Sequence, residues 1–291
     1  MRPIIFWVSH FNIFFILLKF IALLPLVIVI NGSSSAQTPT IPSTTSRGQF
    51  YFSWGYNRDW YSKSNIHIYR HDANPANSYD FMLFDAKAHD KPDMWRWWEI
   101  NRLSIPQYDL TLGYALNNKY GLGFEVAWNH LKYVVTDWQM IHMQGQIHGT
   151  PIDKVGPLNP DTVHIQHTNG NNYLLFNVVK RQPILTRQKV QVSAIMKAGA
   201  GPLISYTIDT ILGDSDPGYF HYHGWVGAIS GGVRASFLKY FFVQSDFQGA
   251  FANYTNTKLG HEHLGTAVHH FYSLQWTYEI GASFPMGRKK I

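Results

Sequence analysis

Apolar and polar residues alternate with a period of two along most of this chain. The clearest example is 107–129 (QYDLTLGYALNNKYGLGFEVAWN), in which two alternating runs flank a turn at 117–120. Two such runs joined by a short turn predict a β-hairpin. One face of the hairpin is bulky and ends in aromatic residues, whereas the other is small, polar and partly charged. This pattern is typical of a strand with lipid outside it and a packed polar lumen inside.

Eight segments with this alternation are predicted as strands. They are 49–57, the two runs of the 107–129 hairpin, 171–180, 190–203, 224–235, 240–254 and 271–284. Short connections at 117–120, 182–189 and 236–239 alternate with long loops at about 58–102, 136–170, 204–223 and 255–270. The fold class is therefore all-β: an eight-stranded antiparallel transmembrane β-barrel of the outer-membrane type, with long extracellular loops and short periplasmic turns. Closure is also required because an open sheet edge in lipid would leave backbone groups unpaired.

The distribution of charge predicts the orientation. The short-turn end and the two termini carry lysine and arginine but no acidic residue, and the acidic residues fall in the long loops or on the polar strand faces. Basic side chains can extend toward phospholipid head groups at the periplasmic side. We therefore expect both termini to be periplasmic in an outer-membrane protein. A soluble barrel is the structural alternative, but it would place charge outside, and here the bulky face is nearly free of charge.

The first 36 residues have the features of a signal peptide: Arg2 and Lys19, the apolar run 20–30, and a small-residue region that ends at Ala36. The predicted domains are thus 1–36 signal peptide, 37–48 flexible periplasmic spacer and 49–291 outer-membrane barrel. An uncleaved membrane helix at 11–30 is the alternative, because that run is about long enough to span a bilayer.

The composition narrows the classes of partner. The net charge of +6 is too mild to indicate a nucleic-acid partner, and the absence of cysteine excludes disulfides and thiolate metal sites. Aromatic residues make up 16% of the chain, which fits interface girdles on a barrel. Outer-membrane lipids are therefore expected partners.

The chain resembles the small outer-membrane β-barrel proteins of Bacteroidota. The likeness lies in SWGYNRDWYSKS, YDFMLFDAKAHDKPD, HTNGNNY and GAFANYTN, which start at Ser53, Tyr79, His167 and Gly249. The resemblance implies an envelope location and an eight-stranded barrel. It brings no catalytic residues with it, because the members of this family are mostly of undefined function.

A charge network is predicted inside the lumen. An eight-stranded barrel has room only for side chains or one small ligand, so a solute pore is not expected. Buried charges must be paired, which favours a structural network over a proton or ion path. Its predicted members are Asp109, Glu125, Lys197, Arg234, Asp246 and Glu279.

Histidines concentrate in the predicted long loops. Imidazole is a common ligand for zinc, copper, nickel and iron, so a site for a divalent metal or haem is one hypothesis. A polar loop that happens to be rich in histidine is the other. The candidate metal ligands are His221, His223, His261, His263, His269 and His270.

A lipid A-modifying acyl hydrolase is a further alternative. The run His167-Thr168-Asn169-Gly170 loosely resembles a His-x-Ser-Asn element of lipid A deacylases. Adjacent residues of a strand point to opposite faces, however, whereas a nucleophile and its base must be within hydrogen-bond reach. No catalytic residue is therefore predicted.

The two longest loops indicate function most strongly, since loops of this length are usually functional or structured. Residues 79–85 alternate again and Ile66 and Ile68 are expected to pair with them, which would extend the barrel above the membrane. The run Trp95, Arg96, Trp97 and Trp98 has the residue types found at binding hot spots. The function predicted first is therefore a non-enzymatic surface-binding or envelope-assembly component, with another envelope protein as a possible partner and no cofactor.

Overall fold

A computed structural model describes residues 48–92, 107–187, 189–238 and 240–286. The predicted signal peptide and the run 95–98 lie outside these residues. In the described part of the chain, no helix has the length and apolarity that a membrane crossing needs.

The described residues form thirteen strands in one sheet. Numbered in chain order, they are β1 Gly48–Tyr61, β2 Ser64–Arg70, β3 Tyr79–Ala86, β4 Ala88–His89, β5 Tyr108–Leu116, β6 Leu122–Val135, β7 Met140–Ile147, β8 Thr150–Pro157, β9 Val163–Arg187, β10 Val190–Ile211, β11 Asp214–Phe237, β12 Phe241–Leu259 and β13 Gly265–Pro285. One turn of 3-10 helix, Pro75–Asn77, links β2 to β3.

Eight long strands close into a barrel. The order is β1-β5-β6-β9-β10-β11-β12-β13, and β13 pairs back with β1 in an antiparallel register from Gln49↔Pro285 to Tyr61↔Ser273. Each of the eight corresponds to one of the predicted segments, although β5 and β12 begin one residue later than predicted. Closure leaves neither side of the ladder unpaired over this span, which a hydrocarbon environment requires.

An apolar belt surrounds the barrel. Large hydrophobic side chains that would be buried in a soluble protein are exposed on the outer face of all eight strands. Examples are Phe50, Phe52, Leu110, Leu112, Phe124, Val126, Phe176, Val178, Met196, Ile229, Val233, Val243, Phe247, Leu274 and Ile280. Trp128, Trp225 and Tyr272 lie on the same face toward the end with the long connections. The belt is the lipid-facing surface of a transmembrane barrel of the outer-membrane type.

Beyond the belt, the strands continue into an extramembrane module. We define it as β2, β3, β4, β7 and β8 together with the ends of β6 and β9–β13 on that side. Residues 266–268 of β13 pair with β2, and β3, β7 and β8 follow in order. The predicted pairing of Ile66 and Ile68 with 79–85 is confirmed, with Ile66 opposite Leu83 and Ile68 opposite Phe81.

The prediction that 204–223 and 255–270 are loops was wrong. Strand β10 runs to Ile211 and β11 begins at Asp214, so the connection is the two-residue turn Leu212-Gly213. Both turn residues have positive φ, +53° and +87°, which suits the twist of a tight hairpin. The polar residues of these segments suggested loops, but they lie on strands, where some, such as Thr210 and His270, face solvent and others, such as Thr207 and His223, are buried.

Along β9 the two faces exchange their chemistry where the belt ends. In the belt, Phe176 and Val178 are exposed outside, and Asn177 is buried in the lumen. In the module, Val163 and Ile165 are fully buried and face inward. They join an apolar core that includes Ile66, Ile68, Phe81, Leu83, Leu131, Ile141, Met143, Ile211 and Leu259. The module therefore has an apolar interior like that of a soluble protein, although several of its strands continue from the membrane barrel.

The buried core predicts that the module can be destabilised on its own. Phe81→Ala should cost about 3–5 kcal/mol, because it removes a fully buried ring and leaves a cavity. Hydrogen exchange should accelerate at β2 and β3 while β5 stays protected, since proteins open in local units. Met82→Ala, on the outer face of the same strand, is the matched control. Equal exchange in the two variants would contradict the assignment of this core.

Candidate functional site

The lumen contains the six predicted charged residues, and Lys197 is at the centre of the group. Its Nζ lies 3.0 Å from Glu125 Oε1 and 3.5 Å from Asp246 Oδ2. Glu125 also accepts hydrogen bonds from the Tyr51 hydroxyl at 3.0 Å and the Asn177 amide at 3.1 Å. One cation thus joins two carboxylates, which is the pairing that buried charges need.

Arg234, the second predicted cation of the network, bonds to a neutral amide rather than to a carboxylate. Its Nε donates to Gln244 Oε1 at 2.7 Å, and its guanidinium lies 3.9 Å from the centre of the Phe242 ring. Gln244 in turn donates to Asp246. The described residues contain no salt bridge to Arg234, so a neutral amide links it to the carboxylates.

Neutral groups surround the other two lumen carboxylates. Asp109 Oδ1 accepts from the side-chain amides of Asn57 at 2.9 Å and Asn129 at 2.7 Å. Glu279 accepts from the hydroxyls of Ser53 and Thr111, each at 3.0 Å. These amides and hydroxyls were not predicted as site residues, although they lie on the same inward alternation.

A small cavity lies in the lumen near its short-turn end. The cavity bordered by Tyr51, Arg181 and Arg234 has a volume of about 10 Å³. That volume holds about one water molecule. The packed lumen favours a structural role for the charges over a pore.

The six predicted metal ligands divide between the interior and the surface. His223 and His269 are buried, His221 and His263 are half-buried, and His261 and His270 are exposed. His269 and His270 are neighbours on β13 and face opposite sides of the sheet, so they cannot chelate one ion. No group of three or more His, Cys, Asp or Glu side chains in the described residues could hold a metal ion. The metal or haem site stays a prediction.

The buried histidines instead form a layer with aromatic rings between the lumen and the module core. The Tyr254 ring stacks on His167 at 4.9 Å and on His269 at 4.6 Å, and Tyr133 stacks on Phe271 at 4.6 Å. His223 Nε2 lies 3.1 Å from the Ser205 carbonyl, and its Nδ1 lies 3.0 Å from the Thr257 hydroxyl. Both nitrogens of His223 are therefore engaged in the fold.

His167 lies in this layer as well. Its Nδ1 is 2.8 Å from Thr207 Oγ1, and both side chains are buried. Its hydroxyl partner is thus on the neighbouring strand rather than at Thr168. The imidazole of His167 is buried and does not contact the lipid-facing surface.

The outer face of β2, β3, β7 and β8 presents ordered polar and aromatic groups to solvent. Two imidazole–carboxylate pairs lie on it: His67 Nε2 is 2.8 Å from Asp80, and His142 Nε2 is 2.7 Å from Asp153. The His142 ring also stacks on Phe84, with centroids 5.0 Å apart. We call this surface the outer sheet face. Sequence reasoning missed it because its polar residues lie in segments predicted mainly as loops.

The tip of the module holds a carboxylate cluster. Asp209 is buried and accepts the Gly260 N–H at 2.8 Å, and His263 Nε2 lies 2.7 Å from Asp216. Burial raises the pKa of Asp209 to about 7; Asp216 and Asp214 act in the same direction, against the Gly260 N–H. The cluster thus ties the β10–β11 hairpin to the turn between β12 and β13.

Comparisons with known proteins give no family. No family model matches the chain, and no curated protein matches its sequence. Solved structures similar to it include OprG from Pseudomonas aeruginosa, with 10% identity, a TM-score of 0.37, and coverage of 82% of this chain and 97% of that one. Ail of Yersinia pestis, in complex with the heparin analogue sucrose octasulfate, has 10% identity, a TM-score of 0.32, and coverage of 82% and 99%. The outer membrane protease OmpT from Escherichia coli has 11% identity, a TM-score of 0.32, and coverage of 83% and 98%. The assignment to the outer-membrane barrels rests on this chain's own closure and belt.

The pairing of Lys197 predicts a large loss of stability when that charge is removed. Lys197→Met should lower the free energy of unfolding by about 3–5 kcal/mol, because it leaves Glu125 and Asp246 as buried charges without a cation. Adding Glu125→Gln should recover part of the loss. Lys189→Met, at an exposed turn position, should change stability by about 0.5 kcal/mol or less. Equal unfolding midpoints for Lys197→Met and the control would show that Lys197 is solvated.

The raised pKa of Asp209 predicts that the stability of the module depends on pH. Its folded-state pKa lies above the ordinary value of 3.8, so the folded protein binds this proton more tightly than the unfolded chain. The stabilisation from Asp209 is therefore lost as the pH rises through about 7. Asp209→Asn keeps an acceptor for Gly260 and cannot ionise, so module stability should decline less between about pH 5 and about pH 8. Thermal unfolding measures this, with exposed Asp161→Asn as control; identical slopes in wild type and Asp209→Asn would contradict the assignment.

Proposed function

We propose that this chain is an outer-membrane protein that acts through its module as a non-enzymatic surface-binding or envelope-assembly component. The observation that carries the proposal is the apolar core of the module, which gives the segments beyond the belt a fixed shape. Mere connections between barrel strands need only a few residues. A folded module takes many more residues than such turns need. A binding surface requires a rigid scaffold of this kind.

The packed lumen supports the same proposal. Its ion group is held by amides and hydroxyls, and the cavity next to Arg234 admits about one water. Transport through the barrel is therefore disfavoured. The surface beyond the belt is open to a protein partner.

The outer sheet face is the part of the module that we assign to binding. On it, carboxylates hold His67 and His142, and the Gln144 amide donates to Asp153 at 3.3 Å. Groups that are already oriented lose little entropy when a partner binds. Tyr69 and Phe84 add ring surface between the polar groups, and aromatic side chains are enriched at interfaces. In the proposed orientation, with periplasmic short turns, this face is extracellular.

Photo-cross-linking in intact cells tests the proposal. A cross-linking residue at Gln144 should give a discrete non-lipid adduct, and one at Leu112 in the belt should give lipid adducts only. Adding Tyr69→Ser and His142→Ala should abolish the Gln144 adduct while the barrel stays folded, as judged by its resistance to unfolding in detergent. An adduct that survives both substitutions, or one that forms only in the belt, would contradict a binding role for this face.

A further inference from the structure

Two arginines converge at the short-turn end of the lumen, and neither forms a salt bridge with a carboxylate of the described residues. Arg181 on β9 and Arg234 on β11 border the same cavity, with Tyr51, Val179 and Ile195 as further walls. The backbone N–H of Arg181 donates to Gly121 next to the 117–120 turn, which fixes the location at the barrel end. The cavity is open on one side.

Arg234 has an unused donor in this cavity wall. The residue is 1% exposed, and its Nη2 has no hydrogen-bond partner among the described residues. Its Nε bond to Gln244 and its ring contacts with Tyr51 and Phe242 hold the guanidinium in place. A buried charged donor without an acceptor is costly, so the arrangement indicates an acceptor beyond the described residues.

Arg181 is equally short of acceptors. Its Nη2 donates to the Gln49 side-chain oxygen over a long 3.4 Å, and no described carboxylate pairs with it. The nearby lumen carboxylates are held by Lys197 and by amides and hydroxyls. These carboxylates offset the charge of Arg234 from a distance, because Gln244 lies between them and the guanidinium. They do not accept a hydrogen bond from Arg234 Nη2. The exposed side chains around this end include the basic residues Lys119, Lys180, Arg187 and Lys189.

We propose that Arg181 and Arg234 form an oxyanion site for a phosphate group. One phosphate oxygen would enter the cavity, whose volume of about 10 Å³ suits a single oxygen-sized atom. The remaining oxygens would stay at the open side, beside Arg181. Planar guanidinium groups match phosphate geometry, and their hydrogen bonds to it are charge-assisted. Phospholipid head groups and free phosphate carry this same chemistry, and both reach the rim of a membrane barrel.

Inorganic phosphate is the first probe. Full-length protein in phosphate-free, lipid-free detergent is titrated with phosphate, and thermal unfolding is compared with chloride at equal ionic strength. Phosphate should raise the unfolding temperature in a saturable way, because a ligand that binds only the folded state stabilises it. Arg181→Gln should weaken binding about tenfold or more. Lys180→Gln removes the same charge from the next residue on the opposite face and should leave the affinity within about twofold of wild type.

Native mass spectrometry then distinguishes the two sources. Wild-type protein is incubated with phosphatidylglycerol or with a phosphate-free glycolipid of equal chain length. Selective retention of phosphatidylglycerol that is lost in Arg181→Gln assigns a lipid head group, and saturable binding of inorganic phosphate alone assigns a free anion. If Arg181→Gln does not fold, Arg181→Lys replaces it, and the loss of the planar fork should still weaken binding.

Three results would overturn the site. The first is no effect of phosphate beyond that of chloride together with no selective lipid retention. The second is an equal loss of binding in Arg181→Gln and Lys180→Gln, which would indicate general attraction by the basic rim. The third is saturation by chloride as strong as that by phosphate, because a halide ion cannot accept the two parallel hydrogen bonds that a planar guanidinium donates to phosphate.

Discussion

The pairing of β13 with β1 is the constraint on which the rest of the structure depends. Inside hydrocarbon every backbone donor and acceptor needs an internal partner, and only closure supplies one for both edges of an antiparallel sheet. Closing the sheet with eight strands leaves a lumen that side chains must fill. The charges gathered there then need partners within the barrel. Lys197 supplies the cation for two carboxylates, and neutral amides and hydroxyls support the rest.

The same strands face lipid along the belt and water along the module. Within the belt, alternation places apolar residues outside and polar residues inside; beyond it, the apolar residues turn to a core and the polar ones to water. The change occurs without new elements on β9, where Phe176 is exposed and Ile165 is buried. Strands β2, β3, β7 and β8 then widen the sheet enough to enclose a core. The histidine and tyrosine layer lies between the polar lumen and this core, where stacked rings with polar atoms are compatible with both neighbours.

Much of the fold could be predicted from the sequence, because apolar and polar residues that alternate with a period of two reflect the geometry of a strand. Every barrel strand and the inward charges follow from this alternation, but the predicted turn at 182–189 was too long, because β9 continues to Arg187 and β10 begins at Val190. The segments 204–223 and 255–270 misled because their outer face carries polar residues such as Thr210 and His270, and polarity alone does not distinguish a solvated strand from a loop. The pairing of the lumen charges could not be predicted either. Lys197 and Arg234 both lie at inward-facing positions, and which of them meets a carboxylate depends on side-chain packing across the lumen.

Site-directed spin labelling along β9 tests whether the two faces of this strand exchange their chemistry where the belt ends. The chain has no cysteine, so each introduced label is unique. Single cysteines at Phe176, Gln166 and Ile165 are labelled, and the accessibility of each label to oxygen and to a water-soluble relaxant is measured in bilayers. The account predicts that the label at 176 is accessible to oxygen, the label at 166 to the aqueous reagent, and the label at 165 to neither. Oxygen-dominated accessibility at both 176 and 166 would show that lipid still faces the outer surface there, and it would contradict the exchange of faces.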